Sequence, residues 1–402
     1  MLSVEQARDR ILDRIRPPAP IELPLAEAHG CVLAADVVAE FDVPPFSACE
    51  VEGFAVRAAD VHAAEGEAPA GLRLVGEATP GRPPEVTVGW GEAVRVGAGS
   101  PLPAGADAVA PMETCGIEGD TVAVYAPVDE GAFVRPAGLD ARAGQVLVPA
   151  GRRLTSIELG TLAAVGHAAP LAYPSVRVSV MTLGGDLIEP GRPAAFGQAR
   201  DAASFAMLGA LRDTGAVPYR IGIVPDDEHE IHEAILTNLS RADLFICVGG
   251  PGDDALEPRR LAALGEVEVE SVAMYPGTEH GFGEIEGTPF FALPGTPASL
   301  FVAFEVLVRP AILRSMGRRD LGRPEVTAVL DDEVDGPEGL TLFAPVRVAQ
   351  VDGEWHATPT GPTDPRLFMP TARANGLAVV PAGEKAISGD RVRVRVFRAL
   401  ER

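Results

Sequence analysis

Lysine is almost missing from this chain of 402 residues; Lys385 is the only one. No basic run is visible, and Asp plus Glu (57) so outnumber Lys plus Arg (34) that the formal charge is -23. That balance argues against nucleic acid or an anionic membrane surface as the main partner. It also handicaps the binding of small anions unless a local positive patch compensates. Cysteine is scarce: Cys31, Cys49, Cys115 and Cys247 are scattered without a CxxC pair. Neither a disulfide framework nor a zinc site is indicated, which fits a reducing cytoplasm. No apolar stretch has the length of a membrane span, and Met1-Leu-Ser-Val-Glu5 does not read as a signal peptide. Aromatic residues make up only 5%, so a 47% hydrophobic content implies cores of Ala, Val and Leu.

Glycine (44) and proline (37) are plentiful, which predicts many tight connections, and the length allows two to four domains. Ser3 and Gln6 form a potential capping box for an opening helix with Val4, Ala7, Ile11 and Ile15 on one face, stopped by Pro17-Pro18. From Val43 to Val134 short strands alternate with Gly/Pro turns, as in Gly53–Arg57, Leu72–Val75, Ala93–Val96 and Thr121–Tyr125. This reads as an inserted all-β module. A helix capped by Thr155 and Glu158 follows, running to Gly166.

Between Val176 and Gly317 strands and helices alternate. The predicted strands are Val176–Leu183, Ile221–Val224, Leu244–Val248, Val267–Ala273 and Phe290–Leu293; the helices are Asp201–Thr214, one opening at Asp226-Asp227, Leu256–Leu264 and one after Pro297. The pattern predicts a doubly wound parallel sheet, whose ligands bind at the carboxyl ends of the strands. Three loops fall at such ends: Thr182–Asp186, Gly249–Asp254 and Pro294–Pro297. In the second, Gly249, Gly250 and Gly252 precede Asp253 and Asp254, a turn whose backbone N–H groups suit an anion. The tail from Pro324 is strand-rich (Val326–Leu330, Leu340–Val348, Leu377–Val380, Arg391–Phe397) and reads as a separate β domain.

The order of motifs resembles the MoeA family of molybdopterin molybdenumtransferases, which includes the carboxyl-terminal domain of gephyrin. The resemblance spans nearly the whole chain. It rests on Asp42–Asp60 (family DxPPFDNSAMDGYAVRAAD), Ala98–Val109 (TGAPLPAGADAV), Arg135–Asp140 (RxxGED) and Thr182–Gly191 (STGDELxxPG), then on Gly222–Asp227, Leu293–Pro297 and Ala374–Leu377. It implies an α/β multidomain fold: a doubly wound MogA-like domain over 176–320, a discontinuous elongated α+β first domain (1–42 and 135–175), an inserted β-rich domain (43–134) and a C-terminal β domain (321–402).

As activity, the resemblance implies insertion of molybdenum from molybdate into adenylylated molybdopterin, with release of AMP, by a cytoplasmic homodimer assisted by Mg²⁺. Glu52, Asp140, Asp186 and Asp226 would be the catalytic carboxylates, and Asp186 and Asp254 would hold the metal. Thr182, Gly184, Gly249, Gly250, Gly252, Asp253, Asp254 and Pro294-Gly295-Thr296-Pro297 would contact the pterin substrate. The chain departs from the pattern in places. Lysines of the family's KVAMKPGKP segment are replaced by Ser271, Tyr275 and Thr278, and a GSG turn by Asp364-Pro-Arg366. The family's Thr is Ala98, and the glycine loop is two residues shorter. Two alternatives therefore stand beside the enzyme: a non-catalytic gephyrin-like dimeric scaffold for a protein partner, and a binder of a less anionic small molecule in the same cleft. His229 and His232, beside three glutamates, read as a solvated helix start rather than a metal pair. Cys49 reads as a buried thiol.

Overall fold

The computed structural model describes residues 1–82, 85–249 and 265–400. The chain falls into two compact units. The larger holds Met1–Ala34, Gly151–Thr155 and Leu171–Arg402; the smaller holds Ala35–Ala150 and Ser156–Pro170. The discontinuous first domain expected from sequence is thus shared between them.

The larger unit is built on a six-stranded sheet. Its spatial order is Val217–Val224, Arg177–Leu183, Leu244–Val248, Thr288–Leu293, Glu279–Ile285, Glu266–Ser271. The first four strands are parallel. Leu244–Val248 sits among them and every residue of it is buried, which is why it reads as an uninterrupted apolar run. Alternation along the strand sends its side chains to two cores. Leu244, Ile246 and Val248 pack with the opening helix (Val4, Ala7, Ile11), with Met207 and Leu211, and with Leu300 and Phe304. Phe245 and Cys247 pack with Ile231, Ile235 and Leu239 on the other side.

The opening helix, Val4–Arg14, forms the expected capping box with Ser3 and Gln6. Its apolar face closes the core of the larger unit rather than that of a separate first domain. The helix after Pro297 runs to Ser315 with a wider π turn over Phe304–Val308. Pro310, which has no N–H to give, lies just past that turn.

The sheet is not wholly parallel, as the sequence pattern had suggested. Glu279–Ile285 and Thr288–Leu293 form a hairpin, and Glu266–Ser271 joins its outer edge antiparallel. The hairpin turns on Glu286 (φ 48°) and Gly287 (φ 77°), the pair of positive φ values that a two-residue type I′ turn requires.

The tail, as expected, forms its own β structure. Five strands, Thr341–Val351, Glu354–Pro359, Glu325–Leu330, Arg391–Val396 and Gly376–Val380, pair in a ring, because Gly376–Val380 returns to Thr341–Val351. This is a small closed barrel. A sixth, short strand, Met274–Tyr275, adds to it at Thr341 and Leu342.

The smaller unit carries a six-stranded sheet in the order Ala108–Pro111, Gly53–Val56, Glu92–Val96, Ala70–Ala78, Thr121–Val124, Cys115–Glu118. Two short strand pairs and the helix Ser156–Ala164 complete it. Cys49 is buried there as a free thiol, and burial pushes its pKa up.

Candidate functional site

In the larger unit the parallel strands Arg177–Leu183, Leu244–Val248 and Thr288–Leu293 end side by side, with Thr182 opposite Val248 and Val248 opposite Leu293. The loops leaving those ends line a cleft of about 520 Å³. Its walls are Thr182–Leu187, Ala199–Ala203, Asp226, Gly249, Gly295–Pro297 and Arg366. The cleft thus brings together Thr182, Gly184, Asp186, Asp226, Gly249, Gly295, Thr296 and Pro297, all picked out from sequence. Pro294 is buried just behind it. Gly250, Gly252, Asp253 and Asp254 lie outside the described residues. Glu52 and Asp140 belong to the smaller unit, both exposed, with Glu52 paired to Arg95 at 3.3 Å.

Gly249 is glycine for a steric reason. Its φ is +100°, and a Cβ there would stand 2.8 Å from the Leu183 carbonyl oxygen. Its N–H donates to Leu293 O at 3.1 Å, so the sheet takes it and no ligand does. The anion-cradle reading of this loop therefore does not extend to its first glycine.

The best-defined part of the wall is a buried network that sequence reasoning missed. Asp201, 1% exposed, accepts from Ser204 N at 3.0 Å, from the Ser204 hydroxyl, and from Arg220 Nη2 at 2.8 Å. The Thr182 hydroxyl points at both of its oxygens from 3.5 Å. Arg220 also donates to Ser204 Oγ at 2.6 Å and to Glu189 at 2.8 Å, and it lies 4.6 Å from the centre of the Phe205 ring. Burial alone would raise the Asp201 carboxyl, but the bonds from Ser204 and Arg220 outweigh it and hold the group below its ordinary value. The Ser204 N–H that Asp201 binds lies in the first turn of the helix Ala203–Thr214, whose N-cap position is Ala202. That cap-like spacing, Asp then Ser three residues on at a helix start, was the available signal.

Asp186 and Asp226 are exposed on the cleft. Asp227, not Asp226, caps the helix that follows, accepting from His229 N at 3.0 Å and Glu230 N at 3.1 Å. Two cations also face the cleft. Arg200 comes from the short strand Ala199–Arg200, which pairs with Leu187–Ile188. Arg366 comes from a loop of the barrel region, where Asp364 grips it at 3.0 Å on Nε and 2.7 Å on Nη2. So the cleft is not stripped of positive charge, although positions 271, 275 and 278 carry none.

No group of three His, Cys, Asp or Glu side chains stands close enough among the described residues to hold a metal ion. Of the expected metal-binding pair only Asp186 is described, so the described residues do not make up a donor set for Mg²⁺. His229 and His232 form no such group. Among the described residues no helix is long and apolar enough to cross a membrane.

A doubly wound α/β unit with an arginine-flanked cleft at its strand ends, joined to a β barrel and a β-rich unit, is the class defined so far. Family models match in the same order: the MoeA N-terminal region (domain I and II) over residues 2–166, a probable molybdopterin binding domain over 179–314, and the MoeA C-terminal region (domain IV) over 327–397. Molybdopterin molybdenumtransferase 1 of Mycobacterium tuberculosis is 36% identical over 411 residues, covering 96% of each chain. Molybdopterin molybdenumtransferase 2 of the same organism is 34% identical over 391 residues, covering 95% of this chain and 96% of the relative. A crystal structure of a molybdopterin biosynthesis MoeA protein from Pyrococcus horikoshii superposes with a TM-score of 0.84 at 28% identity, over 99% of this chain and all of that one. The chain belongs to the MoeA family of molybdenum cofactor biosynthesis.

Proposed function

We propose that the chain is a molybdopterin molybdenumtransferase that takes adenylylated molybdopterin into this cleft and inserts molybdenum from molybdate into the dithiolene, releasing AMP. The observation that carries the reading is the convergence of Thr182–Leu187, Gly295–Pro297, Arg200 and Arg366 on one cleft. Phosphate and molybdate are both anions, and each gains most from fixed cations in a site that sheds water. Thr182 and Asp201 contribute rigidity: their bonds fix the wall from which Arg200 projects. Asp186 and Asp226 are the exposed carboxylates within reach of a ligand there. Glu52 and Asp140 are retained as proposed catalytic carboxylates, and the protein is proposed to act as a cytoplasmic homodimer.

The test is to incubate purified protein with adenylylated molybdopterin, molybdate and Mg²⁺ and to measure AMP. Turnover supports the transferase. Binding of the pterin without AMP release favours the scaffold alternative, and absence of any pterin affinity in calorimetry overturns both the substrate and the activity.

A further inference from the structure

We propose that the larger unit holds a second ligand site, in a cavity between the opening helix and the strands Glu266–Ser271 and Glu279–Ile285. Its ligand is a small neutral aromatic molecule with one N–H or O–H donor. The proposal does not depend on what fills the strand-end cleft.

The cavity measures about 370 Å³, within the usual range of small-molecule sites. Much of its lining is apolar: Ala7 and Ile11 from the opening helix, Val272, Phe282, and Leu307 from the helix after Pro297. The Phe282 ring lies 4.8 Å from that of Phe291, centre to centre, so an aromatic surface already borders the space. His280 lines the same cavity and is 5% exposed. Strand alternation accounts for its company, since His280 and Phe282 stand two residues apart and share a face of the sheet.

The histidine fixes what the occupant must bring. Its Nε2 lies 3.1 Å from Gly277 O. A carbonyl oxygen can only accept, so Nε2 carries the proton and Nδ1 is left as an acceptor. Burial disfavours the imidazolium, which keeps the ring in that neutral form. Nδ1 is buried and has no hydrogen-bond partner among the described residues. A bare buried acceptor is unfavourable, and a water is a poor remedy because it needs two to four polar partners of its own. An aromatic ring with one donor satisfies the acceptor and covers the apolar lining together.

The rim sets the charge of the ligand. Arg10 pairs with Glu270, Arg14 lies 3.8 Å from Glu268, and Asp13 stands beside them. Both arginines are thus offset and one carboxylate is in excess, so the rim favours a neutral molecule over an anion. That separates this cavity from the strand-end cleft, which Arg200 and Arg366 flank. The two rim arginines are 61% and 44% exposed, so their pairs contribute little and can part as a ligand enters. The start of the helix stays anchored meanwhile: Leu2 N donates to Ser271 O and Ala273 N to Leu2 O, both at 2.8 Å.

The test uses the full-length protein near neutral pH and two probes of one shape, indole, which has an N–H, and benzofuran, which has none. In calorimetric titration indole should bind, and benzofuran roughly tenfold more weakly, because it leaves Nδ1 unsatisfied. H280F should bring indole down to the benzofuran level and change benzofuran little. Ring-nitrogen NMR of wild-type protein with isotope-labelled histidine gives a readout that does not depend on the variant folding. Saturating indole should move the Nδ1 resonance of one neutral ring, and benzofuran should leave it in place. The proposal is overturned if indole does not bind, if the two probes bind wild type alike, or if no histidine Nδ1 resonance moves. A folded H280F that binds indole as well as wild type overturns it too, since the donor then meets some other group.

Discussion

Arg220 donates from Nη2 to the Asp201 carboxylate at 2.8 Å, an ion pair set in the cleft wall with the Asp201 side chain fully shielded from solvent. Removing the cation would leave a buried carboxylate with only Ser204 and Thr182 as partners. Arg220→Ala should lower unfolding free energy by about 3 kcal/mol, the usual order for breaking a buried pair from one side. Chemical denaturation measures it; a loss under ~1 kcal/mol would show that water or Ser204 suffices.

The same pair sets a pH dependence. Asp201 has its pKa lowered in the fold, so the stability it adds is complete above the unfolded value of about 4 and is lost as pH falls through the folded value. Wild type minus Asp201→Asn stability should be largest near neutrality and shrink steadily below about pH 4. A difference that is flat with pH would contradict the assignment.

His280 has the opposite character. It is 5% exposed, its Nε2 lies 3.1 Å from Gly277 O, and its Nδ1 has no hydrogen-bond partner among the described residues. Burial pushes its pKa down to about 4, the Gly277 bond opposing only weakly. The unfolded chain therefore takes up the proton first, near the ordinary His value of about 6.5. Stability is full above that pH and falls as the solution is acidified towards 4, by an amount on the order of 3 kcal/mol. His280→Phe should flatten the stability profile between about pH 6.5 and 4, read from thermal unfolding in a pH series. An unchanged profile would mean that another group titrates.

Gly249→Ala places a Cβ 2.8 Å from Leu183 O at a φ of +100°. Backbone strain of this kind costs roughly 1–3 kcal/mol. Because Leu183 and Gly249 both border the cleft, the substitution should lower stability and pterin affinity together. Loss of stability alone would separate this turn from the ligand.

The strand Leu244–Val248 was legible to the residue, since a buried strand between Asp243 and Gly249 has no alternative reading at that length. The Arg/Val alternation of Arg391–Val396 was equally plain. Glu279–Ile285 was not legible, because Gly281 and Gly283 depress its strand propensity. The structure shows why Gly283 is there: a Cβ would come within 1.9 Å of Glu266 O. Glu354–Pro359 was missed despite a usable signal, the Asp352-Gly353 turn with φ of 49° and 86°. In the cleft, the loops at the strand ends followed from the α/β alternation. Asp201, Arg200 and Arg366 did not, because their roles depend on partners that only the folded chain brings near: Arg220 on the next strand, and Ala298 at the start of a helix.

Asp226 and Asp227 are adjacent, and the structure assigns them different work. Asp227 caps the helix Glu228–Leu239 through two backbone N–H groups, whereas Asp226 faces the cleft. Asp227→Ala should therefore cost about 1 kcal/mol of stability, the usual loss of a cap, and leave AMP release near wild type. Asp226→Asn, and likewise Asp186→Asn, should keep the melting temperature within a few degrees of wild type while lowering kcat by about 100-fold or more, the usual loss when a proposed catalytic carboxylate is removed. The contrast between neighbours controls for general damage to the loop. Should Asp226→Asn turn over like wild type while Asp227→Ala does not, the two roles are reversed and the catalytic assignment of Asp226 fails.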